Sequence, residues 1–264
     1  MAASKRFSHI EDSSALALVA FEQGRIFRQS RTLGLADCGS DGHLRFDAAA
    51  RIAQDIAGAD LQDSGLEGEG VWVVRRTHIR FFGAPRYQDV LDVSTFCAGT
   101  GRSWAQRRTS LVGPAAKVEV SSLWVQTDPA TRAPSSLSER FFEVFGPSAR
   151  ARRVTSRLAL APLDGATSKT LAWPGRVTDI DILGHMNNAA YFEAIEEVAT
   201  NYDNLSKRRA HAFAVAEYRD GVEAQTPFEL RLGDLDEDGF RLDFLNAQRL
   251  ACALAFSFAQ GSPT

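Results

Sequence analysis

Between residues 44 and 60 apolar side chains recur every three or four positions, at Phe46, Ala49, Ile52, Ala53, Ile56 and Ala57, with Arg51, Gln54 and Asp55 between them. That period puts the apolar set on one face and predicts an amphipathic helix, with Asp47 near its positively polarised start. On either side the pattern changes to that of strands. Residues 25–35 mix Ile, Phe, Thr and Leu with polar residues and predict a first strand, ended by Gly34 and the turn cluster 37–42. Glycines across 65–70 break the chain after the helix. Residues 71–81 are rich in Val, Trp, Ile and Phe, the groups Gly83-Ala84-Pro85 and Gly99-Thr100-Gly101 punctuate, and 118–126 supply a last strand. Residues 128–135 predict a turn, 137–145 a short helix, and 146–169, rich in small residues, Arg and Pro, a linker.

The order then repeats. Residues 171–178 predict a strand, and 188–202 a helix whose Tyr191, Ile195, Val198 and Tyr202 share one face. Strands follow at 212–218, 226–232, 240–245 and 250–258, with a turn-rich segment at 233–239. Each half therefore reads strand, helix, then several antiparallel strands, and the first strand after each helix begins about the same distance on. A long helix followed by a meander of strands suits an α+β domain whose sheet packs over the helix. The expectation is a duplicated architecture: a tail at 1–19, one unit at 20–146, a linker at 147–169 and a second unit at 170–264.

Composition narrows the function classes. The chain has 264 residues, 44% hydrophobic and 24% charged, as globular proteins do, and a net charge of −3, which gives no reason to expect a nucleic-acid partner. Three scattered cysteines, Cys38, Cys97 and Cys252, predict packing thiols in a reducing compartment. No stretch approaches the roughly 20 apolar residues of a membrane span, so no membrane insertion and a cytoplasmic location are expected. No Gly-x-Ser-x-Gly elbow and no His-Glu-x-x-His occurs, which argues against an α/β-hydrolase or a zinc hydrolase.

The chemistry concentrates at residues 178–191, where Asp179, Asp181, Gly184, His185, Asn187 and Asn188 stand just ahead of the second helix. Thioester or ester hydrolysis needs a nucleophile or a base for water, and donors for the oxyanion that develops on the carbonyl. Asp181 is the candidate for the first role. Backbone N–H groups between Gly184 and Asn188, at the positive end of a helix, are candidates for the second. His185 could orient Asp181, hold water or donate to the carbonyl. The plainer readings are a capping Asp, a packed His, and Asn187 and Asn188 as N-caps. Asp179 reads as structural, and Glu196 and Glu197 as a solvated helix face.

The pattern Thr178-Asp179-x-Asp181-x-x-Gly184-His185-x-Asn187-Asn188-x-x-Tyr191, with Glu196-Glu197, resembles the start-of-helix motif of hotdog-fold thioesterases. The whole chain is similar to the acyl-acyl-carrier-protein (acyl-ACP) thioesterase family, whose members are double hotdogs. Supporting stretches are residues 44–48, 72–77, 104–109 and 123–125 before Asp128-Pro129. The resemblance implies a tandem hotdog enzyme of lipid metabolism that releases free fatty acid from an acidic acyl carrier protein, the acyl pocket in the first half. It implies Asp181 and His185 as catalytic residues, Gly184, Asn187 and Asn188 as oxyanion or positioning groups, and no metal or organic cofactor; a homodimer is compatible with it.

Two positions depart from the plant pattern, in which an Asn and a Glu belong to the site. Here those places hold Leu183 and Gly221. Asp181 followed by Ile182-Leu183-Gly184 resembles instead the Asp-x-x-Gly arrangement of single-domain acyl-CoA thioesterases. Acyl-CoA hydrolysis is therefore the first alternative, and a non-catalytic acyl-binding protein the second. A basic docking face for the carrier is sought among Arg75, Arg76, His78, Arg80, Arg107 and Arg108, the cluster Arg150, Arg152 and Arg153, or residues 207–209.

Overall fold

The computed structural model describes residues 24–199, 209–223, 228–235 and 239–258. Its strands form one ten-stranded antiparallel sheet in the order β1-β3-β4-β5-β2-β7-β10-β9-β8-β6. In the first half these are β1 (Phe27–Thr32), β2 (Val71–Phe82), β3 (Val90–Thr100), β4 (Trp104–Val112) and β5 (Lys117–Thr127). The second half contributes β6 (Lys169–Leu171), β7 (Ala212–Tyr218), β8 (Phe228–Gly233), β9 (Gly239–Asn246) and β10 (Arg249–Phe258). The spatial order 1-3-4-5-2 of one half reappears as 6-8-9-10-7 in the other. The expected duplication is thus present in the topology. The halves meet where β2 pairs β7, with Arg76 opposite Glu217, His78 opposite Val215 and Arg80 opposite Phe213.

Helix α1 (Phe46–Asp63) buries the three-and-four-spaced set Phe46, Ala49, Ile52, Ala53, Ile56 and Ala57 against this sheet. Phe46 in its first turn stacks on Phe81 of β2 at 4.6 Å and on Phe256 of β10 at 5.6 Å, so the helix start is anchored by both halves. Helix α2 (Glu139–Ala149) covers the far end of the first half, burying Phe141 and Phe145 with Cys97 and Ala105. Ser138 caps it by accepting the Phe141 N–H at 3.0 Å. The 137–145 expectation was short at its C-terminal end: the helix runs on through Pro147 to Ala149 and closes on Arg150 in the left-handed region.

Two expectations in the second half differ from the structure. The strand expected at 171–178 ends at Leu171. Pro174 lacks the N–H a ladder needs, and Val177–Asp179 instead form a 3-10 turn. The helix expected at 188–202 begins as a 3-10 turn over Ala190–Phe192 and becomes α3 (Glu193–Ala199). Tyr191, Ile195 and Val198 are buried on one face as the period required, while Tyr202 lies outside the described residues.

The linker is not a loose tether. Ala159 and Leu160 N–H groups donate to Glu217, Leu163 N–H donates to Asp243, and Leu160 packs with Phe213, Val215, Ala253 and Ala255. It therefore seals the sheet face turned away from the helices. Burial of these two carboxylates is offset by the backbone donors the linker brings to them. Among the described residues no helix is long and apolar enough to cross a membrane.

Candidate active site

Asp179, Asp181, Gly184 and His185 sit in a hairpin-like turn that precedes α3. Asp181 N–H donates to His185 O at 2.9 Å, Gly184 N–H donates to Asp181 O at 3.0 Å, and Ile180 bridges Met186. Gly184 has φ +78°, the left-handed position that closes a three-residue turn, and nothing lies within 4 Å of where its Cβ would be. Glycine is needed there for the backbone, not for space. Asp179 is buried and structural: its carboxylate accepts the Arg176 N–H at 3.1 Å, and its carbonyl accepts the Asn187 N–H at 2.7 Å.

Asp181 is half-buried at the base of this turn. Its Oδ1 accepts the Leu183 N–H at 2.9 Å, and Asn187 Nδ2 approaches its Oδ2 at 3.5 Å. Asn187 Oδ1 accepts the Ala189 N–H at 2.8 Å, so this Asn caps the helix start and braces the Asp at the same time. His185 lines the same cleft, but no hydrogen bond or ion pair joins its imidazole to Asp181 among the described residues. The two side chains share a cavity without forming a dyad. The His185 ring lies on Gly221, where a Cβ would come within 2.5 Å of its Cδ2. Gly221 is thus a required gap under the imidazole, and a Glu there would displace the ring.

Of the amides expected as oxyanion donors, several are committed. Gly184 N–H closes the turn, Met186 N–H donates to Val222 O at 2.7 Å, and Asn187 N–H goes to Asp179. The Asn188 carbonyl accepts from Tyr218 Oη at 2.8 Å, which fixes Asn188 at the cleft wall. No hydrogen bond among the described residues engages the N–H of His185 or of Asn188.

The cleft, of about 330 Å³, draws its walls from both halves. Trp72, Val73, Val74 and Arg75 come from β2, Arg132 from the loop after β5, and Tyr218, Arg219, Asp220 and Gly221 from the end of β7. Arg75 is the extra residue of a bulge, since Val74 pairs Trp124 and Arg76 pairs Leu123. A bulge re-aims the side chain it carries, and here Arg75 Nη1 crosses to Tyr218 O at 3.0 Å. Burial together with the nearby Arg219 pushes the Arg75 guanidinium below its usual range, only partly offset by Glu217. The sequence offers Trp72 only within the stretch 72–77 and Arg75 only among the candidate docking cations. What hid their place in the site was the β2–β7 pairing, which no local pattern encodes.

Trp72 also lines a second, mainly apolar pocket of about 110 Å³ between α1 and the first-half sheet, walled by Ala57, Gly58, Leu61, Cys97, Ala105 and Phe141 among others. It lies in the half where the resemblance implies the acyl pocket, and Trp72 lines both it and the cleft. The cysteines carry no reactive thiol: all three are free and buried, and burial pushes Cys97 up to about 11.

Several charged groups are placed otherwise than expected. Glu196 is no solvated residue: it accepts the Phe46 N–H at 3.0 Å, and so caps α1, while Arg209 grips it through two 2.8 Å bonds. Arg209 itself is 2% exposed. Arg107 pairs Asp60, and buried Arg108 pairs Glu119 at 2.6 Å. None of these three cations is available to a docking partner, and Lys207 and Arg208 lie outside the described residues.

The Acyl-ACP thioesterase N-terminal domain family matches residues 24–145, and the Acyl-ACP thioesterase C-terminal domain family matches residues 164–239. The chain belongs to the acyl-ACP thioesterase family. A Mycobacterium tuberculosis protein of unassigned activity is 27% identical over 226 residues, covering 84% of this chain and 88% of its own. The chloroplastic oleoyl-acyl carrier protein thioesterase of Coriandrum sativum is 24% identical over 216 residues, 71% of this chain and 57% of that longer one. Among solved structures, the 12:0-ACP thioesterase of Umbellularia californica superposes with a TM-score of 0.72 at 18% identity, covering 88% of this chain and 96% of that one. An acyl-ACP thioesterase of Bacteroides thetaiotaomicron gives 0.70 at 17%, covering 88% and 97%. At those identities the structures establish the fold, a double hotdog, and the family matches establish the membership.

Proposed function

We propose that this protein hydrolyses fatty acyl-ACP to free fatty acid and carrier protein, with the chemistry in the cleft of Asp181 and His185. The observation that carries this reading is the cleft itself: it gathers a braced carboxylate, an imidazole and two uncommitted N–H groups beside an apolar pocket in the other half. The acyl chain lies past Trp72 in the pocket between α1 and the sheet, which makes the first half (20–146) the acyl-binding unit and the second (170–264) the catalytic one. The thioester carbonyl oxygen receives the N–H groups of His185 and Asn188. Asp181 takes a proton from a water that attacks the carbonyl carbon, the resulting tetrahedral intermediate expels the sulfur as the C–S bond breaks, and the proton held by Asp181 passes to the departing sulfur by way of solvent and His185. Asn187 keeps Asp181 in place. Gly184 serves by shaping the turn that presents the carboxylate.

Leu183 and Gly221 do not make the site inert in this scheme. A plant-type Asn and Glu would add polar partners, whereas here the bracing comes from Asn187 and from the Leu183 N–H itself. A cytoplasmic setting belongs to the same reading, supported by three cysteines held as buried free thiols. The test is hydrolysis of acyl-ACP thioesters of graded chain length and of the same acyl groups on CoA. Turnover on the carrier substrates, lost by roughly 10²–10⁴-fold in folded Asp181→Ala, is expected. Near-normal turnover by that variant would remove Asp181 from the chemistry, and preference for CoA would make this an acyl-CoA enzyme.

A further inference from the structure

The first half contains the same turn. Gly39 N–H donates to His43 O at 2.9 Å, Gly42 N–H donates to Gly39 O at 2.9 Å, Cys38 bridges Leu44, and Gly42 has φ +76°. Gly39, Gly42 and His43 thus stand where Asp181, Gly184 and His185 stand in the second half. The tips of the two turns differ in chemistry. In the first half the tip is Ser40-Asp41, with Asp41 Oδ1 accepting the His43 N–H at 3.0 Å. In the second it is Ile182-Leu183, with Ile182 fully exposed at 101% and Leu183 at 49%.

Turn tips face water, and an apolar side chain there buries nothing on folding. The backbone does not demand Ile-Leu, because the same turn in the same chain forms with Ser-Asp. A different exposed apolar residue serves as the control: Val177 ahead of the catalytic turn is 76% exposed, and its counterpart Leu35 is 77%. Apolar exposure before the turn is common to both halves, and apolar exposure at the tip is confined to the catalytic one. Charge is distributed with the same asymmetry. Leu183 shares the catalytic cleft with Arg75, Arg132 and Arg219, the last donating to Leu160 O and 3.7 Å from Glu217, whereas the cleft beside His43 carries Arg86 and Asp89, one of each sign. Of the catalytic cleft's two carboxylates, Asp220 has Arg249 at 3.4 Å.

We propose that the Ile182-Leu183 tip, with Arg132 and Arg219 on the cleft rim, is the surface on which the acidic carrier protein docks. This rests on the carrier-protein reading of the function. Apolar contact at the tip provides the desolvated centre of the interface and the guanidinium groups provide its charged edge. The occupant is a protein and not the CoA nucleotide, because an exposed Ile outside the cleft gains nothing from a solvated diphosphate. It also assigns Leu183 a role in binding the carrier, where the plant pattern has a polar site residue.

The test transplants the first-half tip. Ile182→Ser combined with Leu183→Asp copies a pair that this backbone already accommodates, and Ile182→Asp alone leaves the cleft lining untouched. Each is assayed on an acyl-ACP and on the CoA thioester of the same acyl group, and titrated with isotope-labelled carrier protein. Expected are a rise of about tenfold or more in KM for acyl-ACP, an unchanged KM for the CoA thioester with Ile182→Asp, and loss of the carrier's shift perturbations. Unchanged KM and carrier binding in both variants would overturn the docking site, as would an equal loss on both substrates with Ile182→Asp. A wild-type protein that binds carrier through this tip yet hydrolyses neither substrate would keep the docking site and sink the functional reading instead.

Discussion

The two turns, at residues 39–43 and 181–185, share a backbone and differ in how they are held. In the first half the place of Asp181 is taken by Gly39, and the turn is tied into the fold: Asp41 lies 3.7 Å from Arg209, which grips Glu196, which caps α1 through Phe46 N–H. In the second half the tip is left open to solvent and the carboxylate faces a cleft. The floor under each His differs too. His185 lies on Gly221, while the segment that bridges His43, around Arg86, has Ala84 and Pro85 in the corresponding places. The fold holds two equivalent turns, and the first is tied down by charged partners. A site needs an unpaired carboxylate and an accessible imidazole, whereas an anchor needs its charges satisfied, and one turn cannot do both.

That contrast can be attacked at several points. The largest effect is expected in the structural turn: Glu196→Ala leaves the Arg209 guanidinium buried without its partner and α1 without its cap. A loss of about 3–5 kcal/mol in unfolding free energy follows, measured by urea titration; a loss below about 1 kcal/mol would mean that Arg209 finds another partner. His185→Ala should lower kcat on acyl-ACP by at least about tenfold with stability retained. Gly221→Ala drives a methyl into the imidazole and should cost a few-fold to about tenfold in kcat, the ring being misplaced and not lost. Circular dichroism checks that the fold is kept, and full activity in this variant would show that the ring position is immaterial. The smallest effect belongs to His43→Ala, for which hydrolysis within about twofold of wild type is expected. A loss matching that of His185→Ala would show the first-half turn to be catalytic after all.

The periodicity of α1 and the strands of the second half were legible because each is a local pattern: 212–218 was placed to the residue, and the apolar set of α1 is the one that is buried. Local rules failed where one residue overrides a run, as at Pro174, which ends the strand expected through 178. Asp181, Gly184, His185, Asn187 and Asn188 could be singled out as candidates from their spacing, since one turn of chain presents them together. Their mutual contacts could not. That Gly184 N–H is spent in the turn, that Asn187 braces Asp181, and that no hydrogen bond joins the His185 imidazole to the Asp181 carboxylate are facts of geometry.

Sequence by itself determined the duplicated order of elements, the acyl-ACP thioesterase resemblance and the stretch proposed to carry the chemistry, because helix periods, turn residues and short motifs act over a few positions. Tertiary structure alone decided that β2 meets β7, that Trp72, Arg75 and Arg132 wall a cleft they share with the other half, and that half-buried Glu196 caps α1. Those depend on which distant strands pair, and pairing is set by the packing of both halves at once.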